Sequence, residues 1–271
     1  MQYDPIKKVL GKTFGKTPKL RLFFFLLLEL LLLRSWYVRR ELKKWKKTAP
    51  ITASVFDAGA GLGQYCWRLS KMGKELQIVG CDINIEQVED CINFFKKIGL
   101  SDRVNFINQD ITKISEKEHY NLILMIDVLE HIEDDKIVLR NMYQALRNGG
   151  TLIISTPSDL GGSDAHIHNE VATGFVDEHV RNGYNKQDIE QKLKDAGFNN
   201  LQTKYTYGFP GNISWILSMK IPIIILNISK LFFILLPFYY LITYPFALIL
   251  NCFDINFTHK KGTGIFVIAN K

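Results

Sequence analysis

VFDAGAGLGQY, residues 55–65, decides how the rest of this chain is read. An apolar run ends at Asp57. Glycines follow at the alternate positions 59, 61 and 63, and a helical pattern begins near Leu62. Glycine tolerates positive φ, and without a Cβ it lets a ligand approach the backbone closely. The stretch therefore predicts a strand, a tight turn and a helix, with the turn open to a ligand. A dinucleotide-binding turn would carry GxGxxG. Here the spacing is GxGxG, with no third glycine at the later position.

The segments downstream repeat the alternation. LQIVGCD is a second strand that ends at Asp82, nineteen residues after Gly63. A carboxylate at that tip can accept hydrogen bonds from ribose hydroxyls. INIEQVEDCINFFKKIGL is an amphipathic helix. VNFIN leads to NQD with Asp110, YNLILMI leads to DVLEHI, and TLIIST follows. NKQDIEQKLKDAGF is a helix capped by Asn185 and stopped by Gly197. Strands alternating with helices of this length predict an α/β fold with a doubly wound parallel sheet. Ligands in such sheets bind beyond the carboxyl ends of the strands, where the glycine turn, Asp82, Asp110 and Asp127 all fall. Residues 199–207 and 263–270 read as two further strands.

Together, DAGAGLG, GCDI, NQD, DVLEHI and LRNGGTLIISTP resemble the class I S-adenosylmethionine-dependent methyltransferases. Within them the set is similar to the ubiquinone and menaquinone biosynthesis branch. The resemblance covers about 52–209 and the last strand. It implies a Rossmann-like, seven-stranded sheet with a terminal antiparallel strand, and S-adenosyl-L-methionine as cofactor. It also implies cofactor contacts. Asp57, Gly59, Ala60, Gly61 and Gly63 would meet the methionine part, and Asp82 with Ile83 the ribose. Asp110 with Ile111 would meet the adenine, and Asp127 would line the site at the end of the fourth strand.

Methyl transfer from a sulfonium needs alignment above all. A base is needed only for an unactivated acceptor. The polar stretch STPSDLGGSDAHIHNEVATGFVDEHVRNGY, residues 155–184, covers the acceptor in the resembling family. Its His168 and His179 are the candidate bases, since imidazole titrates near working pH, and Asp127 completes the catalytic set. Surface or packing histidines are the competing reading. Asp127, Glu130 and His131 also form a D-x-x-E-H set that could hold a divalent cation. The expectation is that they shape the pocket wall and that no metal is bound.

Charge is unevenly distributed. Of 34 Lys/Arg and 27 Asp/Glu, residues 1–50 hold 13 and 3, a net +10; the remainder holds 21 and 24, a net −3. This basic arm surrounds LFFFLLLELLLL, a run too short and interrupted to span a bilayer comfortably. It predicts an amphipathic helix in the headgroup zone, with packing onto the catalytic domain as the alternative. The four cysteines form no CxxC pair and predict buried thiols in a reducing compartment. The organisation expected is a membrane-association arm over 1–50, a methyltransferase domain over 51–210 and 262–271, and a hydrophobic membrane-associated insert over 211–261.

The insert holds LFFILLPFYYLITYPFALIL, residues 231–250, which has the length of one bilayer crossing. If the last two strands pair in one sheet, the chain between them crosses an even number of times or dips and returns. Lys220 in the first half and the prolines 222, 237 and 245 predict short helical pieces in a dipping hairpin. The reading is a membrane-associated enzyme with a lipophilic small-molecule acceptor (a quinone, isoprenoid or other lipid), its catalytic domain on the cytoplasmic side. Alternatives are a lipid-linked sugar or secondary-metabolite acceptor, or a non-catalytic cofactor-binding membrane protein. Nucleic acid is not expected as a partner, because the basic residues flank an apolar run and no NPPY-type tetrad is present.

Overall fold

The computed structural model describes residues 17–161 and 180–271. Among them seven strands form one sheet: β1 Ser54–Ala58, β2 Gln77–Asp82, β3 Val104–Asn108, β4 Tyr120–Ile126, β5 Leu146–Pro157, β6 Asn200–Thr206 and β7 Gly264–Asn270, in the order β3-β2-β1-β4-β5-β7-β6. The pairs among β1 to β5 are parallel, and β7 runs antiparallel between β5 and β6. This is the Rossmann-like arrangement expected, with residues 199–207 and 263–270 joined as neighbours. The central strands are buried on both faces, which is why they read as unbroken apolar runs rather than alternating ones.

Helices α1 Pro18–Leu31, α2 Leu33–Thr48, α3 Gln64–Ser70, α4 Ile85–Lys97, α5 Asp135–Ala145 and α6 Lys186–Ala196 pack around the sheet. Asn84 caps α4, its side chain accepting from Gln87 N at 3.2 Å. Asn84→Ala is expected to cost about 1 kcal/mol, read by urea unfolding.

The arm follows the alternative reading and packs on the domain. Phe24, Phe25, Leu33, Tyr37, Val38 and Leu42 join the core beside Trp67, Phe94 and Phe266. Its charges pair with the domain: Arg21 with Asp90 at 2.5 Å, and Glu29 with Arg68 at 3.1 Å. Residue 50 is thus no packing boundary. The outer face of α1 still exposes Phe23, Leu26 and Leu30. The two helices are separated by a single extended residue, Leu32.

The insert departs from its expected short pieces. A continuous helical stretch, Phe209–Ile228, contains α7 Phe209–Trp215, a π-helical turn Ile216–Lys220 and α8 Ile221–Ile228. A 3₁₀ segment Lys230–Leu235 then leads into α9, Leu236–Asn256, which runs 21 residues straight through Pro245. Pro222 and Pro237 come just after the π-helical and 3₁₀ segments, where the hydrogen-bond register of the helix changes. By length and composition alone, Phe209–Ile228 and Leu231–Asn256 could each cross a membrane. The thiols of Cys66, Cys81 and Cys91 are buried as expected, but Cys252, on the outer side of α9, is exposed.

Candidate cofactor and acceptor site

The β1–α3 turn is built as the sequence implied. Gly59, Gly61 and Gly63 have φ of 76°, 52° and 79°, values that L side chains adopt rarely. Gly59 N and Ala60 N both donate to Cys81 O at 2.8 Å, which ties the turn to the end of β2. A Cβ on Gly59 would lie 2.3 Å from Val128 Cγ2, and one on Gly63 would lie 2.9 Å from Phe95. These two glycines are needed for packing. A Cβ on Gly61 would meet only Gln87 Oε1, at 4.0 Å. Gly61 therefore faces open space that a ligand could fill.

Asp82 closes the turn. Its Oδ2 accepts from Gly61 N at 2.9 Å and its Oδ1 from Asn84 N at 2.9 Å. A carboxylate oxygen accepts more than one hydrogen bond, so ribose hydroxyls can join these donors. Asp110 stands at the end of β3, accepting from Thr112 N and Oγ1, and these hydrogen bonds hold its carboxyl below the usual range. Ile83 is exposed beside Asp82, whereas Ile111 is buried in the core.

Asp57 lies under the turn and is 1% exposed. The Cys66 thiol donates to its Oδ2 at 3.3 Å. Burial pushes this carboxyl up to about 7, the thiol opposes the shift, and the nearby Asp82 adds to it. An acid so placed can receive a cationic ligand group as counter-ion. S-adenosylmethionine carries a sulfonium and an ammonium, so the open face at Gly61, the Asp82 carboxylate and the under-solvated Asp57 fit that cofactor.

Asp127 ends β4 with φ of 54°, a strained value for a non-glycine residue. Its carboxylate pairs with the guanidinium of Arg34, from the first turn of α2. Arg34 Nε is buried without a hydrogen-bond partner. Tyr65 stands close by, its hydroxyl 3.5 Å from Ser35 Oγ. Its pKa is raised by burial, against the pull of Arg34. Sequence reading misses Arg34, Tyr65 and also Tyr207, whose hydroxyl accepts from Arg34 N at 3.0 Å. In the sequence Arg34 is only one charge of a basic cluster, and nothing local marks the two tyrosines.

Asp127 and Glu130 of the D-x-x-E-H set are engaged in separate contacts. Glu130 is buried and accepts from Thr156 Oγ1 at 3.0 Å, while Asp127 faces Arg34. Among the described residues no three His, Cys, Asp or Glu side chains gather as a metal site. His168 and His179, the candidate bases, lie outside the described residues.

The model of a family described as a methyltransferase domain matches residues 52–202. The tRNA 5-carboxymethoxyuridine methyltransferase of Escherichia coli (strain K12) is 32% identical over 132 residues, which are 46% of this chain and 47% of that protein. The ubiquinone biosynthesis O-methyltransferase of Rickettsia canadensis is 24% identical over 151 residues, 53% of this chain and 61% of that one. The chain thus spans about half the length of the first of these relatives. Among solved structures, Haemonchus contortus phosphoethanolamine N-methyltransferase 2 in complex with S-adenosyl-L-methionine matches with a TM-score of 0.59 at 19% identity. That match covers 86% of this chain and 52% of the other, and it shows the shared fold. The quinone branch is one of several distant likenesses, and the named relatives act on different acceptors.

Proposed function

This chain belongs to the methyltransferase-domain family, and on that premise we propose that it moves a methyl group from S-adenosylmethionine to a lipophilic acceptor at a membrane face. The domain is of the Rossmann-like, S-adenosylmethionine-dependent kind. In the proposed reaction the cofactor supplies an electrophilic methyl group. Gly61 admits it, Asp82 holds its ribose, Asp110 meets its adenine, and Asp57 balances its positive charge. Arg34 and Asp127 frame the rim where the acceptor enters. The residues align donor and acceptor and exclude water, which is most of what such a displacement requires.

One observation supports the lipophilic acceptor: an exposed apolar surface on the insert that adjoins the end of α1. In the insert Leu231, Phe238, Leu241, Ile242 and Phe246 are each more than 60% exposed. Contiguous apolar exposure on this scale marks a membrane or partner surface. The exposed face of α1 adjoins it, since Tyr244 Oη donates to Leu30 O at 3.3 Å and Ser218 Oγ to Leu31 O at 3.5 Å. Arg34 is three residues further along. An acceptor dissolved in a bilayer would reach the site along this face without crossing water. Quinones, isoprenoids and other lipids all meet that description.

The expected result is that purified protein sediments with phospholipid vesicles equally well at about 0.5 M and at about 0.05 M salt, because apolar contact is not screened. Leu241→Glu together with Phe246→Glu should release it. Incubation with labelled S-adenosylmethionine and a host lipid extract should give a labelled lipid. Label in tRNA and in no lipid would overturn this reading in favour of the chemistry named for the Escherichia coli relative.

A further inference from the structure

The base of the insert is tied to the cofactor site by one buried carboxylate. Asp254, in the last turn of α9, is fully buried. Its Oδ1 accepts from Tyr37 Oη at 2.7 Å and from Tyr207 N at 3.2 Å. Its Oδ2 accepts from Gly211 N at 3.0 Å and lies 3.2 Å from His259 Nε2. A Cβ on Gly211 would sit 2.4 Å from Asp254 Oδ2, so only glycine brings that N–H close enough. The arm, the end of β6, the start of α7 and the chain leaving α9 thus converge on a single side chain.

Tyr207 carries the contact onward. Its φ is 52°, and it shares left-handed backbone with Asp127 and Glu118 alone among the described non-glycine residues. Residues in this region stay there only where their surroundings over-determine them. Tyr207 is held at its main chain by Asp254, and its hydroxyl accepts from Arg34 N at 3.0 Å. That N–H belongs to the first turn of α2, where no intrahelical acceptor exists for it. The Arg34 guanidinium then pairs with Asp127, the other strained residue at the site.

We propose that Tyr207 is a positioning residue for the cofactor site, fixed by Asp254 and acting through Arg34. Its hydroxyl sets the first turn of α2, and so the place of the guanidinium beside Asp127 and the glycine turn. The insert is by this route part of the site's scaffold: whatever displaces its base displaces Arg34. This inference rests on the reading that the β1–α3 turn holds S-adenosylmethionine.

Tyr207→Phe keeps the ring and removes one acceptor. Its expected effect is an increase of about fivefold in the Kd for S-adenosylmethionine by calorimetry, with the melting transition near that of the wild type. In an Arg34→Ala background the same change should alter Kd by less than about 1.5-fold, because the residue it acts through is gone. An unchanged Kd in Tyr207→Phe, or the same factor in both backgrounds, overturns the proposal. A wild-type protein that binds no S-adenosylmethionine overturns the functional reading, and this inference with it.

Discussion

Replacing Gly61 by leucine is expected to weaken S-adenosylmethionine binding roughly a hundredfold, about 2.7 kcal/mol, while leaving the domain folded. The two effects separate because of where the new side chain would go. Its Cβ would meet nothing nearer than Gln87 Oε1 at 4.0 Å, so no packing is lost. The backbone cost is that of an L residue at φ of 52°, about 1–2 kcal/mol. The leucine would project into the space beside Asp82, to which Gly61 N donates. Gly59→Leu and Gly63→Leu differ, since Val128 and Phe95 stand in the way and those variants should unfold more readily. Calorimetry with a thermal melt on each protein checks both halves. Full binding by Gly61→Leu would remove the glycine turn from the cofactor site.

The second large effect is a pH dependence set by Asp57. Burial raises this carboxyl from its ordinary 3.8 to about 7. Between those values the folded protein holds a proton that the unfolded chain has released. Unfolding free energy therefore falls as pH rises from about 4 to about 7, and stays at the lower level above. The full difference is up to roughly 4 kcal/mol, at 1.36 kcal/mol per unit. Asp57→Asn should remove that slope and give a more stable cofactor-free protein at pH 8, read by urea unfolding across pH. Cofactor binding should run the opposite way. A cationic ligand favours the ionised carboxylate, so affinity should rise by up to about tenfold per pH unit and level off above pH about 7. The Asp57→Asn variant, having no charge to offer at that position, should bind weakly at every pH. A wild-type affinity flat from pH 5 to 8 would mean that Asp57 does not face the cofactor's charge.

Much of this site is legible in the sequence because its geometry is local. Gly59, Gly61 and Gly63 need positive φ within one turn, Asp82 ends β2, and Asp110 lies two residues past β3, on strands whose apolar runs are plain. The arm is harder. A run of leucine and phenylalanine has the same composition whether it faces lipid or a protein core. What decides between them is Glu29 meeting Arg68, 39 residues away, and Arg21 meeting Asp90, 69 residues away. No periodicity encodes such partners. Arg34 and Tyr207 are invisible for the same reason, being 173 residues apart in the chain. Pro245 misleads in another way. Proline inside a helix costs about 3 kcal/mol or more, yet α9 runs unbroken from Leu236 to Asn256 through Pro245.

The place of β7 has a consequence for how the protein is made. Its two neighbours, β5 and β6, precede it in the chain, and among the described residues β6 pairs with no other strand. During synthesis the sheet stays open at that edge while residues 209–256 emerge from the ribosome. The two apolar helical stretches, Phe209–Ile228 and Leu231–Asn256, are therefore made before the sheet can close. The sheet cannot close until residues 264–270 have been made, and a chain stalled before β7 would expose both an unpaired strand edge and a pair of apolar helices to whatever chaperones attend it.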